Sequence, residues 1–204
     1  MSKSVTSLHR YKVASAGTSN DSTIHRSNNS TVLISNRQRT RKINPRLLKA
    51  ITEGLLSDLN IGGAELGISL VAAREMTLVN ETFLRHKGST DVITFDYAEI
   101  VAQASRLRSK SLEREIRRRD ACATLCGELF ICVDEAVLQA KKFRTTWQSE
   151  IARYIVHGIL HLLGYDDLHA AARRRMKREE NRRLAGLSRK FNLAQIGGAS
   201  KLSV

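Results

Sequence analysis

Tyr154-Ile-Val-His157-Gly-Ile-Leu-His161-Leu-Leu-Gly164-Tyr-Asp166-Asp167 carries two signals at once. Ile151, Ile155, Ile159 and Leu162 recur at helical spacing, and Val156, Leu160 and Leu163 widen the apolar surface, which predicts a largely buried helix. On it His157 and His161 stand four residues apart, one turn along the same face, close enough to share a metal ion. A lone histidine on an apolar helix is usually a satisfied core residue; the paired spacing is what points to a metal. Gly164 is where such a helix stops and the backbone reverses through a left-handed residue. The reversal brings Asp167 back as a third ligand, giving HxxxHxxGxxD, although Asp166 and His169 lie within reach of the same turn. Two imidazoles and a carboxylate leave coordination positions open, as catalytic zinc sites do. The same set is the facial triad of non-haem iron, so spacing alone leaves the metal open.

Outward from this stretch, the charge is unevenly placed. The 204 residues carry a formal charge of +14. Residues 1–44 hold +7, residues 97–126 hold +3 and residues 168–204 hold +8, which leaves the rest of the chain at −4. A slightly acidic core with basic peripheral segments suits a polyanion, most simply the phosphates of RNA or DNA. The length allows one ordinary domain with extensions. Cys122, Cys126 and Cys132 form no even disulfide framework, and the Cys122/Cys126 spacing lacks the second half of a zinc site. With no signal peptide in view, they fit a reducing cytoplasm. No apolar stretch approaches the ~20 residues that span a bilayer.

Residues 1–30 are rich in Ser, Thr and Asn without periodicity, which predicts a disordered basic extension. The domain is expected over 31–187. Thr31–Ser35 predicts a first strand. Asn44-Pro45 then supplies an N-cap and a first-turn proline to a helix bearing Leu48, Ile51, Leu55 and Leu59, ended by Gly62-Gly63. Gly67–Ala72 predicts a second strand, Met76, Val79 and Phe83 a short helix, and Thr90–Asp96 a third strand. A charged insertion is expected at about 97–126. After it come a fourth strand over Gly127–Val133 and a helix capped by Asp134. The histidine helix opens on a capping box of Thr145 and Gln148, and a basic helix runs from about Leu168 to about Leu187, with a tail over 188–204. This order predicts an α/β (α+β) fold: a single domain with one mixed four-stranded sheet packed by helices, and the metal site at the end of a buried helix. Strand order is not readable.

Three blocks, Asn80-Glu-Thr-Phe-Leu-Arg85-His-Lys-Gly-Ser-Thr90-Asp-Val-Ile-Thr-Phe95, Gly127-Glu-Leu-Phe-Ile-Cys-Val-Asp134 and His157-Gly-Ile-Leu-His-Leu-Leu-Gly-Tyr-Asp166, occur in the order in which they stand in the YbeY family. The chain resembles that family over roughly residues 31–185. The resemblance implies a single α/β domain, a zinc ion held by the HGxLHLxGYD segment, and RNA as substrate. It implies a metal-dependent endoribonuclease of ribosomal RNA maturation and small-subunit quality control. The family most often closes its motif with a third histidine where Asp167 stands here, and that register favours Asp167 over His169; aspartate is a competent zinc ligand. It usually places an arginine where Leu84 stands. Arg85, one residue later, is the candidate to contact phosphate, with His86 as a second donor.

Two rivals remain. The histidine spacing also echoes zinc peptidases, which need a glutamate directly after the first histidine as general base. Gly158 occupies that position and excludes the chemistry. The other rival is a non-catalytic ribosome-associated RNA-binding module whose zinc staples the fold.

Overall fold

Neighbouring parallel strands need a crossover between them, and the helical periodicity after Asn44 supplies the first. The computed structural model describes residues 29–98 and 125–198. Strands β1 (Asn29–Asn36), β2 (Gly63–Val71), β3 (Val92–Asp96) and β4 (Leu125–Cys132) form one sheet in the order β1-β2-β4-β3. β1 and β4 run parallel to β2, and β3 pairs antiparallel to β4 at the edge, so the sheet is mixed as expected. The helices among the described residues are α1 (Pro45–Asp58), α2 (Ala73–Val79), α3 (Val133–Phe143), α4 (Trp147–Leu162) and α5 (Ala170–Lys190). A one-turn π-helix (Asn80–Leu84) continues α2, and a 3-10 turn (Leu193–Gly197) follows α5. Most of the extension expected at 1–30 and of the insertion expected at 97–126 lies outside the described residues.

Alternation along the strands feeds two cores. Leu66, Ile68, Leu129 and Ile131 face α1, α4 and α5, where Leu48, Ile51, Leu55, Ile151, Ile155, Ile159 and Leu187 are buried. The opposite face carries a smaller cluster of Val71, Met76, Val79, Ile93 and Cys132 under α2. Past Leu187, Leu193 and Ile196 are buried in the larger core.

Three local expectations shift. Asp134 does not cap its own helix, which begins at Val133 with Cys132 at the cap position. Its carboxylate instead accepts from the Ala73 N–H at the start of α2 and from Thr40 Oγ1, both at 2.7 Å. The N-cap of α4 is Thr146, whose hydroxyl accepts from the Ser149 N–H, while Thr145 donates to buried Glu150. After α1 the left-handed residue is Asn60 (φ 54°), and Gly63 already belongs to β2.

Candidate metal centre

The apolar face of α4 lies on β3 and β4 so closely that a side chain at Gly158 would force its neighbours to shift. A Cβ there would sit 2.6 Å from Leu129 Cδ2 and 3.2 Å from Thr94 Oγ1. This contact fixes the height of α4 above the sheet, and with it the rings of His157 and His161 on either side of Gly158. α4 ends at Leu162, and the chain reverses through Gly164 at φ 90°. The reversal carries Asp167 back to the histidines.

His157, His161 and Asp167 each offer a ligand atom, and the three atoms lie within 4.8 Å of one another. His161 is 2% exposed, and the other two are half-buried. The Nε2 atoms of the histidines face each other at 3.0 Å. Donors sharing one zinc ion stand roughly 3 to 3.5 Å apart at ordinary bond lengths. The other ring nitrogens are committed. His157 Nδ1 lies 3.3 Å from Glu180 Oε2, and His161 Nδ1 lies 3.1 Å from the Tyr165 carbonyl. A carboxylate and a carbonyl only accept, so each Nδ1 carries the proton and each Nε2 presents a lone pair. Two neutral rings so placed aim their lone pairs at each other across 3.0 Å, a repulsion that a proton or a metal ion between them relieves, so the residues fit a metal ion.

Several residues outside the HxxxHxxGxxD stretch hold this arrangement. Glu180 on α5 is 4% exposed and accepts from Arg153 at 2.6 Å and Lys177 at 2.7 Å besides its contact with His157. Burial opposes its ionisation, but hydrogen bonds from His157, Lys177 and Arg153 outweigh burial and hold the carboxyl at about 2. Arg173 donates to the carbonyls of Asp167 and Leu168, pinning the turn. Burial pushes the Asp167 carboxyl above its ordinary range, and nearby His157 offsets only part of that rise. Asp166 accepts from the Leu168 N–H, a local role. His169 is exposed at the start of α5 and stands outside the three-donor group. Arg85 is exposed and left-handed (φ 56°) at the end of the π-turn, and His86 Nδ1 beside it is buried without a hydrogen-bond partner.

Fold and donors together define an α/β protein with a three-donor group able to hold a cation at the end of a buried helix. The family model described as Endoribonuclease YbeY matches residues 28–188. The chain belongs to the YbeY endoribonuclease family. It is 31% identical over 135 residues to "Endoribonuclease YbeY" of Sulfurihydrogenibium sp., covering 66% of this chain and 77% of that one. The namesake of Chlorobium phaeovibrioides is 29% identical over 173 residues, covering 81% of this chain and 99% of the relative. The solution structure of TM1509 from Thermotoga maritima matches with a TM-score of 0.53 at 20% identity, over 85% of this chain and 99% of that one. At that identity the likeness speaks for the fold.

Proposed function

We propose that this chain is a zinc-dependent endoribonuclease that cuts single-stranded RNA, acting in ribosomal RNA maturation and small-subunit quality control in the cytoplasm. The observation that carries the reading is the facing pair of Nε2 lone pairs beside Asp167. His157, His161 and Asp167 would hold the ion, and two imidazoles with a carboxylate suit zinc while leaving room for substrate. A divalent ion bound there supplies Lewis acidity towards a phosphoryl oxygen and towards water. The chain's own groups prepare the site. Glu180 and the Tyr165 carbonyl keep both rings in the Nδ1–H tautomer, and Arg173 fixes the turn that presents Asp167. Exposed Arg85 makes no ion pair among the described residues and takes the role of offsetting charge on the phosphate, with His86 as a second donor.

Ribosomal RNA and the small ribosomal subunit are the partners in this reading. The named relatives are endoribonucleases, and the basic ends of the chain suit a polyanion. No helix of the described residues is long and apolar enough to cross a membrane. The test is ribosomal RNA incubated with the pure full chain, with and without chelator, beside His161→Ala. Cleavage is expected from the metal-loaded protein alone, lost with chelator and regained on adding zinc. Intact RNA after incubation with folded, metal-loaded protein removes the reading.

A further inference from the structure

The loop between β1 and α1 is held in one shape from beneath. Gln38, 5% exposed, donates from Nε2 to Asn36 Oδ1 and to the Arg41 carbonyl, both at 2.9 Å. Its Oε1 accepts from the Arg41 N–H at 3.0 Å. A buried amide engaged at both ends fixes the backbone it touches. Thr40 anchors the same loop to Asp134, and the Asn44 N–H donates to the Ile196 carbonyl at 2.8 Å. Exposed Arg39 and Arg41 therefore stand on a rigid turn. With Lys42 and Arg46, they line one groove that Gly198 borders.

Among the described residues these cations have no paired counter-charge. None of the four makes an ion pair among the described residues, whereas the neighbouring Arg37 is paired with Glu75. Arg46 stands in the first turn of α1, which contains no acid. A cation at that end of a helix meets the partial positive charge of the amides, an arrangement unfavourable until an anion joins it.

We propose that this groove grips phosphates of single-stranded RNA at a second site, remote from the cut. It lies at the far end of α4 from the histidines, since the turn that accepts from Asn44 also abuts Trp147 through Gly197. At ~1.5 Å rise per residue, the start of α4 is roughly 20 Å from His161. The proposal rests on the ribonuclease reading above. A grip that far from the reacting centre engages only strands long enough to reach both, so it selects for substrate length and not for the base at the cut. RNA fits better than an acidic protein, because three guanidinium groups and an ammonium lining one groove complement a repeating phosphate chain.

The test compares the full chain with the triple variant Arg39→Gln, Lys42→Gln, Arg46→Gln. A control, Lys141→Gln, Lys142→Gln, Arg144→Gln, removes the same charge from the far end of α3. Binding of a fluorescein-labelled single-stranded oligoribonucleotide is followed by anisotropy across a salt series, with cleavage followed in parallel. The groove variant should bind about tenfold more weakly and show a salt slope shallower by about 2, since each phosphate left without its cation removes about 0.7 from the slope. The control should keep the wild-type slope. A groove variant with wild-type affinity and slope overturns the proposal and leaves the nuclease reading standing, as does an equal weakening in the control. Displacement of RNA by polyglutamate at equal charge concentration as readily as by unlabelled RNA makes the groove a protein-docking surface and also overturns it. Groove-dependent binding by a protein that cuts no RNA upholds the grip and removes the nuclease reading instead.

Discussion

The ring of His157 on α4 is held by a carboxylate on α5: His157 Nδ1 lies 3.3 Å from Glu180 Oε2. Neither residue explains its own position. Glu180 is buried, and Arg153 and Lys177 offset its charge. Partners of this kind tune ligand affinity through ring orientation and basicity. Glu180→Gln should therefore bind zinc about tenfold to a hundredfold more weakly while remaining folded. Competition with a chromogenic chelator measures this, and unchanged affinity would reduce Glu180 to an ordinary ion-pair residue.

The same carboxylate makes stability depend on pH. Its folded value of about 2 lies below the ordinary 4.5, so its contribution is fully present above pH 4.5 and drains as the pH falls towards 2. At neutral pH wild type should exceed Glu180→Gln by on the order of 3 kcal/mol. Urea melts at a series of pH values should show that gap closing through the acid range. A gap of constant size would mean that the carboxylate is not ionised against its partners.

Gly158 sets the distance between α4 and the sheet. A methyl group there meets Leu129 at 2.6 Å, so Gly158→Ala has to lift the helix or displace that side chain. Overpacking of this kind costs about 2 kcal/mol, and the neighbouring His157 moves with the backbone. Thermal melts and zinc content should fall together. An alanine variant as stable and as well loaded as wild type would show that the close approach is dispensable.

Asp167 is proposed as the third ligand in place of the histidine usual in the family. Asp167→Ala should lose zinc, His169→Ala should keep it, and Asp167→His should bind it through three imidazoles. Metal stoichiometry after dialysis separates these outcomes. Loss on His169→Ala with retention on Asp167→Ala would reassign the ligand.

The histidine helix was legible because burial pattern, ligand spacing and stop signal all fall within the stretch 154–167, where helix geometry alone relates one residue to another. The facing lone pairs were not, because their orientation depends on Glu180, thirteen residues past Asp167 in a highly charged helix. In that helix Glu180 shares the four-residue spacing of buried Met176 and Leu184, while the Glu179 carboxylate holds Arg182 and Arg183; the register marks Glu180 as inward-facing but does not give its partner on α4. Asp134 shows the same limit on a smaller scale. A cap rule looks only along the chain, whereas its carboxylate caps a helix sixty-one residues away. Thr145 and Thr146 differ by one position, and the competing partner Glu150 decided which of them caps α4. Strand order was out of reach because parallel pairing is set by crossovers and not by local pattern.

Because β4 fills the gap between β2 and β3, the sheet cannot close in the order in which its strands are made. A nascent chain that has reached Asp96 can pair β1 with β2, but the other edge of β2 has nothing to receive until Cys132 has left the ribosome. α4, which covers β3 and β4, emerges later still. Leu66, Ile68 and Leu70 would meanwhile lack the cover of α4 and α5 beside an open strand edge, a combination prone to wrong association. The amino-terminal half must wait, shielded or solvated, for the carboxy-terminal half to be made.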